Sequence, residues 1–147
     1  MNVLLDQDAP RLAKKLASLP LEARRSILAR ACLIAGENVV DLEPAARDLL
    51  DRLKTNRLLS EDEVAKAVSL AEAADAKYLE LRAQGVDKDR VLTFFSEARL
   101  LTALSIGFGG ASPQDSADAV YELCKTCDDP SALVRSIESD IDSMSAK

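Results

Sequence analysis

Leucine and alanine dominate the apolar content of this chain of 147 residues, with 23 copies of each. Valine and isoleucine together number only 14, and five residues are aromatic. Leucine and alanine favour helices, whereas sheets depend on β-branched and aromatic side chains. The composition therefore predicts an all-α protein. Its length suits a single compact domain over residues 1–147, with residues 144–147 frayed at the end.

Helix start and stop signals divide the chain into six or seven helices joined by short loops. Ser60 and Glu63 form the clearest start signal, a capping box, and Ser112 and Asp115 form a weaker one. Glycines are expected to end the helices at Gly36, at Gly85 and within residues 107–110. The predicted helices span about 8–19, 21–35, 43–55, 61–84, 88–106, 113–127 and 130–144.

The helix predicted over residues 88–106 is apolar nearly all round, because Glu97 and Arg99 are the only charged residues between Val91 and Phe108. Such a helix is usually surrounded by others, so we place it at the centre of the bundle. Glu97 and Arg99 either meet opposite charges on neighbouring helices or line an interhelical pocket for a small ligand. The pocket hypothesis involves Phe94, Phe95, Glu97, Arg99, Phe108 and Tyr121.

The chain contains no histidine, which removes Ser-His-Asp and Cys-His nucleophile systems and histidine-based metal sites. We therefore expect no catalytic residue, no cofactor and no metal site, although chemistry based on carboxylates, Arg, Lys, Tyr or Cys stays open. Cys124 and Cys127 form a CxxC motif on a predicted apolar helix stripe. That position favours core packing over a zinc site, which needs more ligands, and over a redox pair, which suits a helix start.

The net charge of −6 is unevenly distributed: residues 1–60 carry +2, residues 61–110 carry −3 and residues 111–147 carry −5. An acidic surface suits either simple solubility or a basic protein partner. Part of the acidic C-terminal third falls at spacings i, i+3 and i+7 along one helix. The predicted partner-binding residues are Asp115, Asp118, Glu122, Asp128 and Asp129.

Residues 11–30 hold the one basic concentration of the chain, with a net charge of +5. This segment either contacts nucleic acid or forms an amphipathic face that docks on the acidic C-terminal third. No aromatic residue is interleaved for base stacking, so nucleic-acid binding is the weaker alternative. The possible contact residues are Arg11, Lys14, Lys15, Arg24 and Arg25.

Together these features predict a non-catalytic protein-interaction domain, of the kind found among inhibitors and immunity proteins, that presents an acidic C-terminal surface to a basic partner. A ligand-binding bundle and a nucleic-acid-associated protein are the alternatives. The first residues have no basic region before their short apolar run, and no uninterrupted apolar run approaches a membrane span. We therefore expect a cytoplasmic protein without a membrane partner. The alanine-rich helix faces suit intrachain packing or a helical dimer, so the oligomeric state stays open.

Overall fold

A computed structural model describes residues 9–39, 41–56, 59–127 and 129–145, which form seven helices and no strand. The all-α prediction is confirmed. The expected helix start near Asp8 and the fraying of residues 146–147 lie outside the described residues, while Met144 and Ser145 belong to the last helix. The helices are α1 Pro10–Ala17, α2 Leu21–Glu37, α3 Pro44–Asn56, α4 Glu61–Ala83, α5 Lys88–Gly109, α6 Pro113–Cys124 and α7 Pro130–Ser145.

Serine caps begin α4 and α6, as the sequence predicts. The Ser60 hydroxyl accepts from the Glu63 N–H at 3.2 Å, and the Glu63 carboxylate accepts from the Ser60 N–H at 2.9 Å. Ser112 and Asp115 form the same reciprocal pair at 3.0 and 3.2 Å. Each capping box satisfies N–H groups that a helix start otherwise leaves without a partner. The bond from the Ser60 N–H also lowers the pKa of Glu63 below its usual value.

Helix α4 ends just before Gly85, also as the sequence predicts. The φ of Gly85, +70°, is in the left-handed region that favours glycine. The Val86 N–H donates to the Leu81 carbonyl at 3.1 Å, and the Gly85 N–H donates to the Arg82 carbonyl at 3.2 Å. These two bonds form a Schellman motif, which turns the chain so that α5 packs back along α4.

The break predicted within residues 107–110 is confirmed, because α5 ends at Gly109, whereas α2 continues through Gly36 and ends one residue later, at Glu37. Gly36 lies inside α2 and Gly107 lies inside α5. A Cβ atom at Gly36 would lie 2.6 Å from Leu50 Cδ1, and a Cβ atom at Gly107 would lie 3.3 Å from Ala119 Cβ. Both glycines therefore serve the close approach of neighbouring helices.

The central position of α5 is confirmed, since α5 packs against α2, α4 and α6. Leu100, Leu101 and Leu104 are fully buried in its middle. Of the helices in the described ranges, α5 alone is long and apolar enough to cross a membrane, with a mean hydropathy of 1.4. Half of that apolar window is buried inside the fold, and the core helix of a folded domain has the same composition.

Candidate functional site

The acidic stripe predicted on α6 is engaged within the fold. Asp115 caps the helix, and Asp118 Oδ1 accepts from the Gln114 side-chain amide at 2.9 Å. The Glu122 carboxylate accepts from Arg99 Nη1 at 3.0 Å, and its side chain is largely buried. The spacing of three and four residues does place these acids along α6, but Glu122 faces the neighbouring helices instead of the solvent.

Asp129, in the loop before α7, is exposed. Its Oδ1 accepts from the Ala132 N–H at 3.3 Å, which caps the start of α7. Asp128 lies outside the described residues. Asp115 lies in the first turn of α6 while Asp129 follows its carboxyl end, so these two predicted partner-binding residues lie at opposite ends of the helix.

The basic N-terminal segment is joined to α7 by ion pairs. The pairs are Arg11 Nε with Glu138 Oε2 at 3.8 Å, Lys15 Nζ with Asp142 Oδ1 at 2.8 Å and Arg30 Nε with Asp140 Oδ2 at 3.2 Å. The predicted docking of the basic face on the acidic C-terminal third therefore occurs in the fold. Lys14, in contrast, is exposed and has no ion pair among the residues that the structure describes.

Arg24 is only 5% exposed, although the sequence suggests a surface contact. Its guanidinium donates to the Leu19 and Ala111 carbonyls at 2.6 Å each and to Ser116 Oγ at 3.1 Å. Arg25, half-buried beside it, donates to two carbonyl oxygens at the end of α5 at 3.3 and 3.5 Å. Both arginines therefore bind the fold, and the basic residues of segment 11–30 do not form a single open surface.

The aromatic residues of the predicted ligand pocket are dispersed. Phe108 is buried in the core. The Phe95 ring packs against Tyr78, with 5.3 Å between the ring centroids. Tyr121 lies elsewhere, beneath Lys125, whose Nζ is 4.6 Å from the centroid of its ring. Of these aromatic side chains, Tyr121 is the one that lines either of the clefts described below.

Arg99 joins three helices. Its Nη2 donates to both carboxylate oxygens of Asp75 on α4, at 3.0 and 2.9 Å, and its Nη1 donates to Glu122 on α6. The guanidinium carbon also lies 5.7 Å from the centroid of the Phe95 ring, while the neighbouring Phe94 is half-buried on α5. Of the two predicted roles for Arg99, the structure shows the pairing with opposite charges on neighbouring helices.

Glu97 is 2% exposed and meets a helix start instead of an opposite charge. Its Oε1 accepts from the Glu43 N–H at 3.1 Å, immediately before α3. The positive end of the α3 dipole favours a carboxylate there. Burial nevertheless raises the pKa of Glu97 above its usual value. Glu97 therefore holds α5 to α3 at an electrostatic cost.

Glutamine at position 97 is expected to keep the hydrogen bond from the Glu43 N–H and to make the stability of the protein less dependent on pH. Because the folded pKa of Glu97 is raised, its stabilising contribution is full below the unfolded pKa and is lost as the pH rises through the folded pKa. We expect Glu97→Gln to gain stability relative to wild type as the pH rises from below the usual pKa of glutamate through the raised folded pKa. Urea unfolding across this range measures the change, and parallel pH profiles for the two proteins would contradict it.

The two cysteines of the CxxC motif line different clefts. Cys124 ends α6 and lines a groove with Tyr121 and Arg135, whereas Cys127 lies beyond α6, off the predicted helix stripe, and lines a second cleft. Both are half-buried and pack against the core. Cys32 is fully buried, which raises the pKa of its thiol to about 12. Within the described ranges, no group of three Cys, Asp or Glu residues is arranged to hold a metal ion.

The second cleft, of about 520 Å³, lies between the end of α2, the first half of α5 and the start of α7. Val39 and Leu133 are buried at its base, and Leu92 is an exposed apolar residue that also lines it. Within the part of the chain that the structure describes, the charged residues that line it are Asp89 and Asp129. We call it the acidic cleft.

Uncharged polar groups complete the lining of the acidic cleft. The Thr93 hydroxyl donates to the Asp89 carbonyl at 3.1 Å, so that hydroxyl is already engaged. Asn38, Ser96 and Ser136 add an amide and two further hydroxyls. Neither Asp89 nor Asp129 has an ion pair among the described residues, and no Lys or Arg lines the cleft. The cleft can therefore attract a cation and hydrogen-bond it, while its apolar walls cover an aliphatic group.

The acidic cleft is not among the sites predicted from the sequence, although the sequence contains one signal for it. Asp89, Thr93 and Ser96 follow one another at spacings of four and three residues, which places them on one face of α5. Such a polar stripe is unusual on an otherwise apolar helix. Asn38 and Ser136 come from distant parts of the chain, and nothing in the sequence indicates that they meet the stripe.

The three groups whose pKa values are shifted, Cys32, Glu63 and Glu97, lie outside the acidic cleft. Comparison with protein-family models, with curated proteins and with solved structures finds no match for this chain.

Proposed function

We propose that this chain is a non-catalytic cytosolic protein-interaction domain, of the inhibitor or immunity type, that binds a basic protein partner. The acidic cleft is the site at which a cationic side chain of that partner binds. One observation carries the proposal: among the described residues, Asp89 and Asp129 are the only charged ones that line the cleft, and neither of them forms an ion pair there. An unneutralised pair of carboxylates at a concave site suits a positively charged ligand.

The shape of the acidic cleft supports a lysine or arginine side chain of the partner as the inserted group. Such a side chain combines an aliphatic stem with a charged end, and both need a matching surface. Leu92 and Leu133 provide apolar contact for the stem, while the carboxylates of Asp89 and Asp129 provide the charge. The cleft volume of about 520 Å³ leaves room for more than one such side chain.

The other described acidic residues of the C-terminal third support this choice of site, because they already have partners. Glu122 is held by Arg99, and three acids of α7 pair with α1 and α2. Asp115 and Asp118 bond to groups on α6 or its cap. Ion pairs within the chain reduce the field that these carboxylates present to a partner.

A binding measurement with matched variants tests the proposal. The probe is a fluorescently labelled lysine-rich peptide, with a peptide carrying Glu in place of Lys as the negative control. The variant Asp89→Asn/Asp129→Asn is compared with Asp115→Asn/Asp118→Asn. Both variants lose two negative charges, and each alters one helix cap, so they are matched in net charge and in capping.

We expect the cleft variant to bind the lysine-rich peptide about tenfold more weakly than wild type and the α6 variant about twofold more weakly. The affinity should also fall with added salt. Equal losses in the two variants would assign the binding to net charge and would overturn the cleft as the site. Equal binding of the glutamate peptide would overturn the preference for a basic partner.

A small-molecule ligand is the second candidate, and the volume of the acidic cleft favours it. Sites for small ligands commonly enclose about 300–1,000 Å³ and combine apolar walls with a few polar groups. The ligand would be an alkyl amine, since the cleft has carboxylates and no cation. Thermal-shift titrations with 1,5-diaminopentane and with glutaric acid distinguish the charges: only the diamine should stabilise the protein as its concentration rises.

A further inference from the structure

A groove of about 500 Å³ lies between the end of α6 and the first turns of α7. On α7, Val134 and Arg135 line this groove. Leu133 and Ser136, on the other side of the same helix, line the acidic cleft, so α7 separates the two. Within the described part of the chain, the charged residues that line the groove are Lys125 and Arg135. We call it the basic groove.

Arg135 provides the unused charge of the basic groove. It is exposed, and it forms no ion pair or hydrogen bond with the residues that the structure describes. Lys125 is partly engaged, because its Nζ lies 3.5 Å from Glu122 Oε1. The carboxylate of Glu122 also accepts from Arg99, so it is shared by two cations. The groove therefore keeps a positive charge at Arg135 that one anionic group can neutralise.

The walls of the basic groove are apolar and are held by the core. Tyr121, Cys124 and Val134 are half-buried and pack against the core residues. The Lys125 Nζ lies over the Tyr121 ring, 4.6 Å from its centroid, so a positive charge lies beside an apolar surface. The volume of about 500 Å³ is typical of sites for small ligands. The lining therefore suits a molecule with an apolar body and one negative charge.

We propose that the basic groove binds a small amphipathic carboxylate. The carboxylate binds the Arg135 guanidinium, whose parallel N–H groups match its two oxygens. The apolar body covers Tyr121 and Val134. A carboxylate suits the groove better than a phosphate monoester, because one unpaired cation matches one negative charge and a phosphate carries nearly two. This ligand has the opposite charge to the one proposed for the acidic cleft, so each site can be tested without the other.

Protection of Cys124 from alkylation reports occupancy of the basic groove. Cys124 lines the groove, Cys127 lines the acidic cleft and Cys32 is fully buried, so the three cysteines report on three environments. Trypsin cleaves after Lys and Arg, and Lys125 lies between the first two cysteines, so each cysteine falls in its own peptide. Mass spectrometry of the reduced protein after reaction with iodoacetamide therefore gives a separate rate for each. The peptides span residues 31–47, 100–125 and 126–135.

The probe is 3-phenylpropanoate, and its control is 3-phenylpropan-1-amine, which has the same apolar body and the opposite charge. We expect 3-phenylpropanoate to bind with a dissociation constant on the order of a millimolar. At about ten times that concentration it should slow the alkylation of Cys124 about tenfold, because only the unoccupied groove reacts. The rate at Cys127 should stay as it is without the probe, and the amine should leave the rate at Cys124 unchanged.

Two arginine variants test the role assigned to Arg135. The Arg135→Met variant should bind 3-phenylpropanoate about tenfold more weakly, because methionine keeps the apolar contact and removes the charge. Arg47→Met is the matched control, since Arg47 is an exposed arginine of α3, which packs against α2 and α4. It loses the same charge and should bind the probe as wild type does. In every protein Cys32 should stay unreacted, which shows that the fold persists.

The opposite results would each overturn part of this assignment. Absence of Cys124 protection at about 20 mM 3-phenylpropanoate, or equal protection by the amine, overturns the carboxylate site. Equal protection of Cys127 overturns the basic groove as the place of binding. Equal weakening in Arg135→Met and Arg47→Met would assign the binding to net charge and overturn the contact with Arg135.

Discussion

Replacement of Arg24 by methionine is expected to lower the free energy of unfolding by about 3 kcal/mol or more. The Arg24 guanidinium is buried and has no carboxylate partner in the hydrogen bonds that hold it. Its three nitrogens instead donate one hydrogen bond each: Nη1 to the Leu19 carbonyl, Nη2 to the Ala111 carbonyl and Nε to Ser116 Oγ. Methionine fills part of the space but leaves all three oxygens without this donor, and unpaired buried acceptors are costly.

The position of these carbonyls explains how the fold tolerates a buried positive charge. Leu19 follows the end of α1, and Ala111 follows the end of α5. The carboxyl end of a helix carries a partial negative charge, so two helix ends together stabilise the guanidinium. Arg24 thus connects α1, α2, α5 and α6 at one place. Its loss is expected to loosen the packing of these helices as well as to remove hydrogen bonds.

Urea unfolding followed by circular dichroism measures the effect. The matched control is Arg30→Met on the same helix, because Arg30 is exposed and pairs with Asp140 at the surface. We expect the control to change stability by no more than about 0.5 kcal/mol. The stability loss of Arg24→Lys should lie between the losses of Arg24→Met and Arg30→Met, since one ammonium group cannot reach three oxygens that are placed around a guanidinium. Equal stability losses in Arg24→Met and Arg30→Met would contradict this account.

Shortening of Leu104 to alanine is expected to cost about 3 kcal/mol, within the range of about 2–5 kcal/mol for buried leucines. Leu104 is fully buried in the middle of α5, which packs against three other helices. Alanine loses the burial of three carbon atoms and leaves a cavity that surrounding helices fill only in part. The helix propensity of the two residues is similar, so the cost reports packing.

The matched control for Leu104→Ala is Leu92→Ala on the same helix. Leu92 is 42% exposed and lines the acidic cleft, so its truncation should cost about 1 kcal/mol or less. Denaturant unfolding of both variants gives the comparison. If the two substitutions cost the same, α5 is not the enclosed centre of the fold that its burial indicates.

Much of the secondary structure could be predicted, because its signals are local. The capping residues Ser60 and Ser112 bond to groups three residues away, and their roles depend on nothing else in the molecule. Gly85 likewise acts through its own φ and two nearby bonds. The packing role of Gly36 and Gly107 could not be predicted, because it depends on Leu50 and on residues of other helices. A glycine that ends a helix and one that admits a neighbour look the same in sequence.

The candidate site could be predicted only in fragments. The polar stripe of Asp89, Thr93 and Ser96 is visible in the sequence of α5, but Asn38 and Asp129 join it only through the packing of α2 and the loop before α7. The sequence shows that the C-terminal third of the chain is acidic, but it does not show which of those carboxylates form ion pairs within the fold. Which carboxylates are neutralised depends on which basic residues fold against them.

The sequence by itself determined the helical class, the start of α4 and α6 and the enclosed character of α5, since each follows from composition, periodicity or contacts within one turn. Only the tertiary structure decided that Arg24 is buried, that Arg11, Lys15 and Arg30 pair with α7, and that Asp89 and Asp129 are left to share a cleft. The physical reason is the range of the interactions. Backbone geometry and capping act between neighbours in sequence, whereas burial and charge pairing act between neighbours in space.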